Sequence, residues 1–290
     1  MSAHLSQFEP ARDVANAAPI RRAVIIASTQ RSGSSLLGHY LEKTGAFGVP
    51  LEYFNQSNLA HWRKRFDFAD VEQFLDLVEP LRTSAGGVFS IKAHYFQLRE
   101  VGSIDSLFAR YGDCRFVRIT RRNLLRQAIS RTVAQQTGVW ISGQPETGQP
   151  HYDAGLIAAN LRALSRQHEQ WSLGFATTGT DYMLVEYEDL VADPAETIRR
   201  IASYCEVPMT DMAMPDAPPI KPQTRSLSSE WEDRFLQEQN ETDEPILDGR
   251  AAFGDAAWDL ARAVRDKFVR PGRAARWRTS PNLAPSHECD

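Results

Sequence analysis

The sequence predicts an α/β fold with a mainly parallel central sheet flanked by helices, on three observations. Short apolar runs alternate along the chain with stretches of helical periodicity. The first run, Val24-Ile25-Ile26-Ala27, is apolar at successive positions, as a strand covered on both faces must be. Directly after it comes "STQRSGSSLL" (28 to 37), a knot of small residues where open α/β sheets place ligands against helix N-termini.

Each element follows from its own pattern. After the strand over 24–27, the spacing of Leu36, Leu37, Tyr40 and Leu41 predicts a helix. Val71, Phe74, Leu75 and Val78 mark a second amphipathic helix, and "GGVFSIKAHY" (86 to 95) a strand introduced by paired glycines. "SIDSLFARY" (103 to 111) is helical, "CRFVRIT" (114 to 120) a strand, and Asn123 to about Gln136 helical again. Residues 141–153 are a loop by their Gly, Pro and Ser content. A helix follows from about Ala154 to Phe175, then the strand "YMLVEY" (182 to 187). Asp193-Pro194-x-Glu196 opens the next helix with a cap, a first-turn proline and a reciprocal glutamate. Residues 214–230, rich in Pro and Ser, read as a long surface loop. Residues 1–20 and 271–290 read as flexible ends around one domain spanning 21–270.

Composition narrows the function. A net charge of −4 argues against a general nucleic-acid binder, whose surface must be basic. Three widely spaced cysteines, Cys114, Cys205 and Cys289, form no metal-binding motif and imply no disulfide framework, so no metal is expected. The N-terminus lacks a signal-peptide core and no run is long enough to span a bilayer. A cytoplasmic setting is the expectation.

Four of the six residues from Arg31 to Leu36 are Ser or Gly, which suits an anion approaching free backbone N–H groups. The loop is not the phosphate loop of nucleoside triphosphatases. Ala27 and Ser28 stand where its first glycine is needed, and no lysine follows Gly33. A second basic element is "RITRRNLLRQAIS". Ser130 lies eight residues beyond Arg122, at most ~12 Å along a helix. An arginine fork and a hydroxyl at that spacing can grip one phosphate.

On these residues the chain resembles the PAPS-dependent sulfotransferases (PAPS is 3′-phosphoadenosine 5′-phosphosulfate). "TQRSGSSLL" resembles the strand–loop–helix that holds the 5′-phosphosulfate, with Arg31 where many members carry lysine. Arg122 and Ser130 fall on the pair that holds the 3′-phosphate, and "VEYEDLVADP" (185 to 194) resembles a further family stretch. "RSGSSLL" followed by "PLEYF" (50 to 54) is similar to the bacterial trehalose 2-sulfotransferase branch, as are, more loosely, "QQTGVW" and "KPQTRSLSSEW". The resemblance implies a P-loop-like strand–loop–helix binding PAPS as co-substrate through Arg31, Ser32, Gly33, Ser34, Ser35, Arg122 and Ser130. It makes 21–270 a sulfotransferase domain and implies a homodimer.

Sulfuryl transfer needs a base for the acceptor hydroxyl and positive charge at the departing bridge oxygen. By the resemblance Glu52 is the base, and Gln30, Pro50, Glu52, Tyr53, Phe54 and Asn55 line the sugar site. The rival is "SIKAHY". Lys92 and His94 fall on the Lys-x-His of the cytosolic animal-type sulfotransferases, and two residues apart on a strand they share a face. The base is therefore Glu52 or His94, with Lys92 serving the sulfuryl oxygens. The expected acceptor is trehalose, a related sugar or a glycolipid, to which the basic cluster His61 to Arg65 leaves room to add contacts. Two other functions compete: a non-catalytic module binding PAPS or its product, and a magnesium-nucleotide kinase-like enzyme, which the absent Gly-Lys-Ser/Thr disfavours.

Overall fold

The computed structural model of the chain describes residues 6–141, 143–208 and 225–241. The chain divides into two compact units, Met1–Glu238 and Gln239–Asp290. The expected boundary at 270 and the C-terminal tail lie outside the described residues.

Strands β1 (Arg22–Ser28), β2 (Val88–His94), β3 (Cys114–Thr120) and β4 (Tyr182–Glu186) form one parallel sheet in the order β2-β1-β3-β4. The order places β1 centrally, and every described crossover between neighbours passes through helix, as parallel pairing requires. The helices are α1 (Ser34–Lys43), α2 (Gln56–Trp62), α3 (Val71–Arg82), α4 (Ile104–Tyr111), α5 (Leu124–Thr137), α6 (Ala154–Thr178), α7 (Tyr187–Ala192), α8 (Pro194–Tyr204) and α9 (Arg225–Asn240).

Alternation along β1 feeds two cores. Ala23, Ile25 and Ala27 face a cluster rich in aromatics, with Tyr53, Trp62, Phe74, Phe89, Phe116 and Trp171. Val24 and Ile26 face an aliphatic cluster built from Leu37, Leu41, Val117, Ile198 and Ile201. Both faces of the strand are thus covered, which is why its sequence is apolar without a polar beat.

Three readings change. Residues 6–20, expected to hang loose, pack against the body of the unit. Phe8 is buried and stacks on His61. Arg82, fully buried in α3, donates to the carbonyls of Gln7 and Glu9 and pairs with Asp13 at 2.9 Å. Scattered apolar residues, Phe8, Val14 and Ile20, supply the anchoring that periodicity does not reveal. The loop expected over 214–230 is helical from Arg225, because Trp231 and Phe235, four residues apart, bury one face of α9. Residues 214–224 lie outside the described residues. Finally, Asp193 does cap α8, accepting from the Glu196 N–H at 2.9 Å, but Glu196 ion-pairs with Arg199 instead of reaching back.

Candidate active site

The C-terminal ends of β1 and β2 carry the site. Beyond Ser28 the chain turns through Thr29, Gln30, Arg31, Ser32 and Gly33 before α1 begins at Ser34. Two residues hold left-handed backbone, Arg31 at φ 64° and Gly33 at φ 96°. Gly33 is required twice over, since a Cβ there would also stand 2.4 Å from the Tyr187 ring. Arg31 gains its strained conformation no such relief, and a non-glycine residue held this way marks functional sites.

Arg31 is tied down by neutral acceptors, donating from Nε to Ser130 Oγ at 3.0 Å and from Nη1 to the Trp140 carbonyl at 2.7 Å. Burial, and then the nearby Arg121 guanidinium, lower its pKa. Arg121 itself lies 4.6 Å over the Tyr187 ring, its Nε buried without a hydrogen-bond partner among the described residues. Ser32 Oγ is likewise buried and unpartnered in the middle of the loop. Buried polar atoms are ordinarily satisfied, so the loop presents an orphaned donor, cations and the start of a ten-residue helix to one place. These features fit the phosphosulfate end of PAPS.

Glu52 reaches the site from an unexpected direction. Leu51 forms a single parallel bridge to Ile91 at the edge of the sheet, and the Lys92 N–H donates to the Leu51 carbonyl at 2.8 Å. That one-residue extension sets the Glu52 side chain beside Lys92 and His94. Lys92 Nζ lies 3.0 Å from Glu52 Oε1 and donates to Ser35 Oγ at 2.9 Å. His94 Nε2 is 3.8 Å from the same Glu52 oxygen. Glu52 Oε2 accepts from Asn55 Nδ2 at 2.7 Å and Gln97 Nε2 at 3.0 Å. The two rival bases and the lysine are one cluster.

Its protonation follows from these contacts. Burial raises the Glu52 pKa, but Lys92 and the two amide donors lower it, and the carboxyl is held below the usual carboxylate range. Burial lowers the His94 pKa and Lys92 adds to the effect, against the opposing pull of Glu52, so the ring is neutral at pH 7. Ser28 Oγ donates to the Ala93 carbonyl at 3.1 Å, leaving it an acceptor towards His94 Nδ1 at 3.1 Å. The Ser28 carbonyl also faces Nδ1, at 3.2 Å. With two acceptors there, the hydrogen-bond network assigns the proton to Nδ1 and leaves Nε2 a proton acceptor.

The remaining sequence candidates are placed differently. Tyr53 and Phe54 were expected to line the sugar site, but they are 0% and 1% exposed. Tyr53 donates to the Val49 carbonyl at 2.7 Å and packs among Trp62, Phe74 and Phe89. Aromatic rings in this segment anchor it in the core. Pro50 is buried against Gly38 of α1. Asn55 caps α2 through Ser57 N–H while orienting Glu52. Gln30 accepts from Arg131 Nε at 2.7 Å. Ser130 is joined to Arg31, whereas Arg122 is held by Glu186 and Asp189, each at 2.6 Å.

Sequence reasoning missed several supports. Gln97 accepts from the His94 N–H at 2.9 Å while donating to Glu52, and the His-x-x-Gln spacing of a capping box signalled it. Trp171 donates to the Ser28 carbonyl at 2.9 Å from α6, and fully buried Gln127 holds Thr29 and Gln30 from α5. Nothing local in the sequence marks those two.

The family model of Stf0 sulphotransferase matches residues 23–88 and 87–238. The chain is 30% identical over 258 residues to trehalose 2-sulfotransferase of Mycobacterium tuberculosis (strain Erdman), covering 75% of this chain and 95% of that protein. It is 24% identical over 265 residues to trehalose 2-sulfotransferase of Mycolicibacterium smegmatis, covering 77% and 98%. Among solved structures, the sulfotransferase domain of a Synechococcus PCC 7002 olefin synthase aligns with a TM-score of 0.45 at 16% identity, over 78% of this chain and 97% of that one. With most of its length matched by the family model, and a 30% identical relative spanned almost end to end, this chain belongs to the Stf0 sulphotransferase family and is an enzyme of the sulfotransferase type.

Proposed function

We propose that the enzyme transfers a sulfuryl group from PAPS to a hydroxyl of a sugar, trehalose or a related saccharide, with Glu52 as general base. The observation that carries the reading is the position of Lys92, whose ammonium links Glu52 at 3.0 Å to Ser35 at 2.9 Å. Ser35 is exposed at the start of α1, so the lysine spans from the base to the anion loop.

PAPS supplies an activated sulfuryl group; the residues that would hold it are Arg31, Ser32, Gly33, Ser34 and Ser35 at one end and Arg122 and Ser130 at the other. Glu52, ionised by its contacts, takes the proton of the acceptor hydroxyl as that oxygen bonds to sulfur. Lys92 places positive charge where the bridging oxygen leaves. The two roles are linked. While Lys92 rests on Glu52 the carboxylate is a weak base, and drawing the ammonium towards an anion at Ser35 raises the proton affinity of Glu52. Three further charges, Arg31, Arg121 and the positive end of α1, supply stabilisation of the kind that a metal gives in phosphoryl transfer.

A second reading has its own support: neutral His94, with its proton on Nδ1, offers Nε2 as the base. The test is to incubate purified protein with labelled PAPS and a panel of disaccharides and lipid extracts, then repeat with Glu52→Gln and His94→Ala. Glu52→Gln is expected to keep calorimetric affinity for the desulfated product, PAP, and lose at least ~100-fold in turnover. Normal turnover in Glu52→Gln with an inactive His94→Ala would move the base to His94. A homodimer and a cytoplasmic setting belong to the same reading, checked by light scattering and cell fractionation.

A further inference from the structure

Arginines in this fold generally meet carboxylates. Arg22 pairs with Asp113 and Glu206, Arg82 with Asp13, Arg110 with Glu79 and Asp76, and Arg126 with Glu232. Arg131, like Arg31 and Arg118, instead donates to neutral acceptors. Half-buried on α5, it donates to two neutral amides, from Nε to Gln30 Oε1 at 2.7 Å and from Nη1 to Asn160 Oδ1. Its charged neighbour is a second cation, Arg166 of α6, and burial together with that neighbour lowers its pKa.

The guanidinium is held firmly. Asn160, 2% exposed, is fixed by donating to Thr132 Oγ1 and Gln135 Oε1, both at 2.8 Å, and the Gln30 main chain is fixed by Gln127 at 2.6 Å. A half-buried cation held by neutral amides is one that a bound anion would stabilise. The position is also telling. Gln30 opens the anion loop, and the Arg131 charge acts on His94, helping to depress its pKa. In the reading proposed above the donor's anionic groups are assigned to Arg31, Lys92 and Arg122, which leaves Arg131 for an anion of the acceptor.

We propose that Arg131 reads an acidic group on the acceptor: the sugar sulfated by this enzyme carries a phosphate or carboxylate within reach of that guanidinium. This rests on the sulfotransferase reading above and names its substrate class.

The experiment pairs each acidic sugar with its neutral counterpart: trehalose 6-phosphate with trehalose, and glucose 6-phosphate and glucuronate with glucose. Turnover is measured with PAPS, and affinity by calorimetry on the PAP-loaded protein. At least one acidic sugar is expected to exceed its neutral partner by about 10-fold or more in kcat/KM and in affinity, as a charge-assisted hydrogen bond gives. Arg131→Gln should lower kcat/KM for that sugar at least about 10-fold more than for the neutral partner, with Arg131→Lys falling between. Three acidic sugars all bound and turned over no better than their neutral partners would overturn the proposal. So would an Arg131→Gln loss of equal size for both members of a pair, which would place Arg131 on the sulfuryl group or the loop. Failure of wild-type protein to bind PAP would overturn the sulfotransferase reading as well; PAP binding without acidic preference overturns this inference alone.

Discussion

Arg31 Nε donates to Ser130 Oγ at 3.0 Å, so two residues expected to touch opposite ends of the same nucleotide are bonded to each other, beside the Gln127 bonds that also tie α5 to the loop after β1. Arg122, the other expected contact to the 3′-phosphate, lies in a carboxylate grip of Glu186 and Asp189.

Ser130→Ala should therefore weaken PAP binding by about 10-fold, because it removes the hydroxyl proposed to hold the 3′-phosphate and releases Arg31 at once. Arg122→Ala should weaken PAPS much more than adenosine 5′-phosphosulfate, which lacks the 3′-phosphate. Equal losses for the two nucleotides, read by calorimetry, would contradict the 3′-phosphate role.

Gly33→Ala should destabilise the fold by about 1–3 kcal/mol and impair nucleotide binding, since φ 96° is unfavourable to alanine and the new methyl meets Tyr187 at 2.4 Å. Tyr187→Ala in the same chain should recover the steric part and not the backbone part. Urea unfolding midpoints of the three variants separate the two contributions.

Asp13→Ala should cost on the order of 3 kcal/mol, the scale set by stranding a buried charge. Asp13 pairs with both Arg65 and Arg82, and Arg82 is fully buried under Trp62, its guanidinium 5.0 Å from that ring. An unchanged thermal midpoint in Asp13→Ala would show that the N-terminal segment is no structural strap.

Acid should erode stability through His168. Burial, followed by the nearby Arg118 charge, lowers its pKa from 6.5 to about 4. A histidine depressed on folding binds fewer protons folded than unfolded between those values. Its contribution is complete above about 6.5 and is lost as pH falls towards 4. His168→Gln should flatten the decline in urea midpoint between pH 7 and pH 4.5 relative to the unaltered chain.

Much of this architecture was legible in the residues. All four strands carry β-branched or aromatic residues, and "CRFVRIT" matches β3 residue for residue, with Gly112-Asp113 before it and the polar Arg121-Arg122-Asn123 after it. The anion loop was legible because only small residues suit that turn. The Glu52–Lys92–His94 cluster was not legible as a cluster. The sequence sets Lys92 and His94 on one face but makes Glu52 a rival base, because the meeting of Glu52 with that pair depends on a single bridge, Leu51 to Ile91, that no periodicity encodes. Arg131 and Gln127 escaped for the same reason, being interior positions of a helix whose pattern says "core" and nothing more. Tyr53 and Phe54 misled because aromatics beside a candidate base invite a sugar, while burial is decided by α2 and α3, which lie later in the chain.

The Leu51–Ile91 bridge separates what the enzyme holds from what it makes. In the proposed reading the nucleotide contacts belong to the loop after β1, α1 and α5, whereas the base, Glu52, follows a residue tied to the flank of β2 by one main-chain bond, Lys92 N–H to Leu51. On that reading, loosening this attachment would silence turnover in a protein still saturated with donor.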